Sequence, residues 1–173
     1  GSDWHPSALT HELSAYVLAD QICTAIGREW SKIGLDAASD GIYDVKINTE
    51  AGANAAHYVG YDKSFWINMV DGGTKPEDIQ AYVGGLTLTP GTYELAFDYT
   101  STVDVTVTYG VQQLEDPEQS CVSGSIDATG TKQHAAKTFT ITEPVEDATI
   151  VFNLGGTDYY NITLSDITLF KKA

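Results

Sequence analysis

The sequence predicts an all-β protein, an antiparallel β-sandwich of the jelly-roll type with at most one or two short helical turns. Three observations predict it. From Gly41 onward apolar residues recur with period two in eight or more short runs of strand length. Pro, Gly, Asn and Asp separate most of those runs. Only Thr74 to Gln80, with Pro76-Glu77-Asp78 behind a capping Thr74, invites a helical turn in that part of the chain. At 173 residues the chain is sized for one domain, and it shows neither an internal repeat nor a low-complexity linker.

Element by element, the first thirty residues stay open between helix and strand, because Leu9, Leu13, Tyr16 and Val17 recur at helical spacing while 15–26 also reads as a strand run. Tyr43, Val45 and Ile47 then alternate with Asp44, Lys46 and Asn48, which makes a half-buried strand. Residues 49–63 read as a loop. Phe65, Ile67 and Met69 face one way and Trp66, Asn68 and Val70 the other, until the turn signal Asp71-Gly72-Gly73. Leu86 to Leu88 leads into Thr89-Pro90-Gly91-Thr92, read as a type II turn. The runs Tyr93–Tyr99 and Val103–Val111 follow with a short connection and predict an antiparallel pair. Residues 112–130 read as a long polar loop of the kind that is functional or mobile. Three strands close the chain, through Phe139 and Ile141, through Ile150 to Leu154, and from Tyr160 to Phe170. In the last, Tyr160, Ile162 and Leu164 hold one parity and Ile167 and Leu169 the other, so a β-bulge is expected at Ser165-Asp166.

Charge and composition narrow the partners. Twenty-four acidic residues against nine basic ones give a formal net charge of −15, and such a field repels nucleic acid and anionic membrane surfaces. Charged residues are 19% and hydrophobic residues 42%, as in a folded domain rather than an acidic tail. No apolar run reaches the length of a membrane span and no signal-peptide pattern opens the chain. Gly1-Ser2 reads as a cloning scar, at which an export signal would have been removed. Residues 3–30 form an N-terminal segment with a first strand, and 31–173 the sandwich. Cys23 and Cys121 permit one disulfide, worth about 4 kcal/mol if closed, or two separate small buried residues.

The order Asp40-Gly41-Ile42-Tyr43-Asp44-Val45, then Phe65-Trp66-Ile67-Asn68, then Leu86 to Tyr99 with its L-x-P-G-x-Y-x-L-x-F block, closing with Ile162 to Leu169, resembles the jelly-roll carbohydrate-binding modules of families 4, 9 and 22. The resemblance covers roughly 41–170. It departs at the start, where those modules open on an Asn-Gly-rich strand leading to a Trp and this chain has Ala19 to Thr24 and then Trp30. It implies a non-catalytic, monomeric polysaccharide-binding module, excised from a secreted or cell-surface bacterial protein. It also implies a structural Ca²⁺ near the final strand, with Asp166 at the matching position and Asp20 as a second acid among six to eight oxygens. Asp166 capping the bulge is the other reading.

A sugar presents apolar C–H faces ringed by hydroxyls, so its site needs flat aromatic rings beside amides or charges. Trp66, projecting outward next to Asn68, is the stacking candidate; its alternative is burial under the 49–63 segment. Tyr58 and Tyr61 precede it in that segment, and Trp30 lies by the first strand, where packing and binding are both open. Lys46, Asn48 and Gln112 project outward and could bond hydroxyls, or be ordinary solvated strand residues; Tyr159 has the parity opposite to Tyr160. These outward residues converge only if their strands share a sheet.

Catalysis has little support. Glycoside hydrolysis needs two carboxylates across a cleft, and only Glu94 and Asp98 share a strand face at short spacing. His5, His11, His57 and His134 follow no zinc-hydrolase spacing, and there is no nucleophile elbow or phosphate-binding loop. Asn161-Ile162-Thr163 matches a glycosylation sequon but falls within a predicted strand, and in a bacterial protein it has no bearing. The expected ligand is a neutral plant polysaccharide such as starch, β-glucan or xylan, and the rival reading is a structural or adhesion sandwich of a surface protein.

Overall fold

The computed structural model describes Leu18, Gln21, Ile22, 36–113 and 120–172. The chain divides into a unit of 1–35 with Ala173 and a unit of 36–172. In the first, Leu18, Gln21 and Ile22 are helical and exposed. Trp30, Asp20 and Cys23 lie outside the described residues.

The described residues of the second unit form an antiparallel sandwich of ten strands. One sheet runs in the order β1 (Ile42–Ile47), β4 (Ile79–Leu88), β9 (Val145–Asn153), β6 (Val105–Gln113) and β7 (Val122–Ala128). The other runs β2 (Asn54–Val59), β3 (Phe65–Asp71), β10 (Tyr160–Lys171), β5 (Gly91–Ser101) and β8 (Gln133–Ile141). The helical elements described in this unit are 3₁₀ turns at Ala37–Asp40, Thr49–Ala51 and Pro76–Asp78. All-β architecture and the sandwich are therefore as the alternation predicts.

The core forms because each strand offers one apolar row to the opposite sheet. Phe65, Ile67 and Met69 of β3, Leu95 and Phe97 of β5, and Ile162 and Leu164 of β10 are buried against Val83, Val107, Val111, Ile150 and Phe152 from the first sheet. Phe97 joins the two layers: its ring lies 4.9 Å from Phe152 and 5.0 Å from Tyr109, edge to face in both pairs.

Several local readings are corrected. The 49–63 loop contains β2, and the 112–130 loop contains β7. Both are edge strands, pairing on one side only, so their short, polar sequences carry no full alternation. The helical turn is confined to Pro76–Asp78, with Lys75 rather than Thr74 at the cap position, and β4 begins at Ile79. Gly91 stands at φ 155°, not near the +80° of a type II turn. β5 and β6 do not pair: the short connection carries the chain from one sheet to the other, so their apolar rows face each other across the core.

The bulge occurs where parity placed it. The β10–β5 register shifts between Ser165 and Thr168, and Asp166 takes φ 52°. That left-handed residue turns Ile167 and Leu169 back into the core, where both are buried.

Candidate functional site

On the outer face of the second sheet, strand register builds a continuous surface. Trp66 on β3 is opposite Tyr58 on β2 and Thr163 on β10, and Thr163 is opposite Thr100 on β5. One row away, Asn68 is opposite Asn161. Strands about 4.8 Å apart put these side chains within reach of one ligand. The Trp66 ring is 55% exposed and Tyr58 57%, so β2 lies beside Trp66 rather than over it. Together with Ser101, Thr102 and Gly130 these residues line an open cleft of about 770 Å³.

The Trp66 ring is held in place. Its indole Nε1 donates to Ser64 Oγ at 2.8 Å, and Ser64 Oγ donates to Asp62 Oδ1 at 2.6 Å. Hydrogen bonds from the Ser64 hydroxyl and backbone N–H keep the Asp62 carboxyl below the usual carboxylate range. Gly60 makes room, since a Cβ there would stand 2.3 Å from Asp62 Oδ1. With the N–H satisfied inside the turn, the indole offers its faces and not a polar edge.

Other sequence candidates fall elsewhere. Tyr61 sits fully exposed at the tip of the β2–β3 turn and lines neither cleft at Trp66. Tyr159 is 80% exposed at φ 56°, two residues before Asn161. Lys46 and Gln112 belong to the first sheet, on β1 and β6, so they cannot share a ring with Trp66. Asn48 is committed to structure: its Nδ2 donates to Asp78 Oδ1 at 2.8 Å. Tyr58, Trp66 and Asn68 are the candidates that the fold brings together. Asn161, Thr163, Thr100 and Ser64 join them unforeseen; the alternation of β10 placed Asn161 and Thr163 outward, but only the pairing shows which strand they meet.

The outer face of the first sheet carries a second polar row. Lys46, Gln80, Asn153 and Thr108 stand in register across β1, β4, β9 and β6. Gln80 Nε2 donates to Asn153 Oδ1 at 2.8 Å, and Asn153 Nδ2 donates to Thr108 Oγ1 at 3.0 Å. In the neighbouring row, burial and then the Asp44 carboxylate push the Tyr82 phenol up from its ordinary value.

The two acids that share a strand face are unsuited to proton donation. A hydrogen bond from Lys172 lowers the Glu94 carboxyl, and hydrogen bonds from Lys132 and His134 lower that of Asp98, whereas a general acid needs a raised value. At Asp166 the Lys132 ammonium lies 3.2 Å from Oδ2, which also accepts from Ser165, and Asp20, the second acid expected of a calcium site, lies outside the described residues. Among the described residues no group of three acidic, His or Cys side chains could hold a metal. Cys121 is a free thiol, pushed up by burial.

No model of a protein family matches the sequence, and no curated protein is similar to it. Solved structures are. A family 4 carbohydrate-binding module superposes with a TM-score of 0.66 at 23% identity, over 75% of this chain and 86% of that one. The fold is that of the carbohydrate-binding jelly rolls. Two further modules of this fold, the N-terminal and second N-terminal cellulose-binding domains of Cellulomonas fimi β-1,4-glucanase C, give TM-scores of 0.55 and 0.51 at 22% and 19% identity. The first match covers 69% of this chain and 90% of that domain, and the second 78% and 97%.

Proposed function

We propose that this chain is a non-catalytic carbohydrate-binding module that holds a neutral polysaccharide by stacking a sugar ring on Trp66. The observation that carries the reading is a half-exposed tryptophan, fixed through its N–H and set beside two asparagines on an open sheet. Trp66 supplies the apolar platform and Tyr58 extends it; Asn68, Asn161, Thr163 and Thr100 supply donors and acceptors for hydroxyls. Trp66 and Tyr58 stand side by side as exposed aromatics, and contiguous apolar surface of that kind marks interaction sites. The net charge of −15 neither attracts nor repels a neutral chain, so starch, β-glucan and xylan are the polymers to try. Extracellular work beside an attached enzyme or scaffold fits the likeness to glucanase domains.

A second reading is favoured by the Gln80–Asn153–Thr108 ladder, which offers amides in a row beside Tyr82 and would place the glycan on the opposite sheet. Affinity electrophoresis in gels containing starch, mixed-linkage β-glucan or xylan separates these. The intact protein is retarded by at least one polymer, and Trp66→Ala loses about 2 kcal/mol, roughly thirtyfold in affinity. Unchanged retention in Trp66→Ala with loss in Gln80→Ala moves the site to the first sheet. Migration unaffected by any glycan makes the sandwich a structural or adhesion module instead.

A further inference from the structure

Trp66 is the wall between two clefts. On the side away from Asn68 a second hollow of about 360 Å³ is lined by Trp66, Thr100 and Thr163, which it shares with the first, and by Asp62, Lys132, Ser165 and Asp166. The step from Thr163 to Ser165 along β10 is two residues, close to 7 Å. A chain stacked on Trp66 and longer than one ring therefore reaches both hollows.

The two differ in charge. The Asn68 side carries no carboxylate and no ammonium, and its lining includes the His57 imidazole. The far side holds the Asp62 and Asp166 carboxylates and the Lys132 ammonium, with Asp98 immediately behind, 2.8 Å from Lys132 Nζ. Asp98 also takes a 2.6 Å contact from His134 Nδ1. Asp98 and Asp166 already share the one lysine, and a third carboxylate, Asp62, lines the same hollow. The hydrogen bonds of Asp62 converge on Oδ1 and those of Asp166 on Oδ2. The second oxygen of each is the acceptor that a sugar hydroxyl would use.

We propose that this second cleft is a further subsite for the same glycan, one that accepts a neutral, hydroxyl-bearing unit and rejects a unit carrying a carboxylate. This rests on the stacking of glycan at Trp66. A uronic acid seated there would bring a fourth negative charge against one cation, while hydroxyls find carboxylate acceptors, whose hydrogen bonds are the stronger kind. The subsite thus sets specificity within neutral chains bearing acidic branches: bare stretches bind and uronate-decorated stretches do not.

The test is affinity electrophoresis against three pairs of polymers, each neutral and acidic: amylose and carboxymethyl amylose, β-glucan and carboxymethyl β-glucan, unsubstituted xylan and glucuronoxylan. The ratio of neutral to acidic affinity is read for the intact protein, Asp166→Asn and Lys132→Ala. Asp166→Asn, which tolerates the left-handed backbone, should lower the ratio about threefold, and Lys132→Ala should raise it by a similar factor. The overall charge changes by one unit against −15 in each variant, so a threefold movement marks the cleft and not the field of the whole protein. Ratios that stay put in both variants, with neutral binding still lost in Trp66→Ala, overturn the second subsite alone. Neutral binding that survives Trp66→Ala overturns the stacking reading and this inference with it, as does an intact protein retarded by none of the polymers.

Discussion

Trp66 and Ser64 face the same side of the turn into β3, and the indole N–H donates to the serine hydroxyl at 2.8 Å. Ser64 is itself buried and anchored on Asp62, so the ring is ordered before any ligand arrives, which lowers the entropic cost of binding. Ser64→Ala removes the anchor and leaves the platform. Affinity should fall by about 1 kcal/mol, near fivefold, with little change in melting temperature. Titration calorimetry beside a thermal melt checks this, and full affinity in the variant would show that the tether is idle.

Asp78 predicts an acid-sensitive fold. It is buried at the entry to β4, where its Oδ2 accepts from Thr74 N, Thr74 Oγ1 and Lys75 N, and its Oδ1 from Asn48. Burial by itself raises this carboxyl, but the four hydrogen bonds outweigh it and hold it below its ordinary value. The unfolded chain therefore binds the proton more tightly. The stabilisation is complete above the ordinary carboxylate range and is lost as pH falls through the folded value. Urea midpoints for the wild type should drop between neutral and acid pH. Asp78→Asn should start lower and converge on the wild type in acid; parallel curves would refute the role.

Phe97 is the contact between layers, packed edge to face on Phe152 and Tyr109 and wholly buried. Phe97→Ala leaves a cavity at that junction and should cost about 3–5 kcal/mol in chemical denaturation. A loss under 1 kcal/mol would mean that the sheets close over the gap.

At the bulge, Asp166 holds φ 52°. A β-branched side chain is strained there, so Asp166→Val should cost about 1–3 kcal/mol, whereas Asp166→Gly should match or exceed the wild type. Equal stability of the two variants would mean that the backbone relaxes out of the left-handed region.

Much of this was legible beforehand, for identifiable reasons. Core strands announce themselves because both neighbours and one face constrain them: the parities of Phe65–Met69 and Tyr93–Tyr99, and the switch at Ser165-Asp166, all match burial in the structure. The outward Trp66 followed from the same parity. Edge strands β2 and β7 were not legible, because Asn54 to Val59 and Val122 to Ala128 are held by one neighbour and carry Ala, Ser, Gly and His where a core strand needs bulk. Pairing was the other gap. Lys46, Asn48 and Gln112 face outward as Trp66 does, but alternation tells the side of a strand and not the sheet that strand joins. Whether β5 meets β6 or β10 depends on partners sixty residues away, which no local window contains.

The order of strands has a consequence for how the protein is made. β10 is the middle strand of its sheet, bonded to β3 and β5, and β9 is the middle strand of the other, bonded to β4 and β6. These two are the last strands of the sandwich to leave the ribosome. Until they arrive, β3, β5, β4 and β6 expose bare edges toward an empty centre, and such edges template association with other chains. Folding therefore waits until β9 and β10 have been made and proceeds through contacts distant in sequence, on the slow scale of milliseconds to seconds. The face that carries Trp66 matures with it, since Asn161 and Thr163 arrive on the strand that closes the sheet.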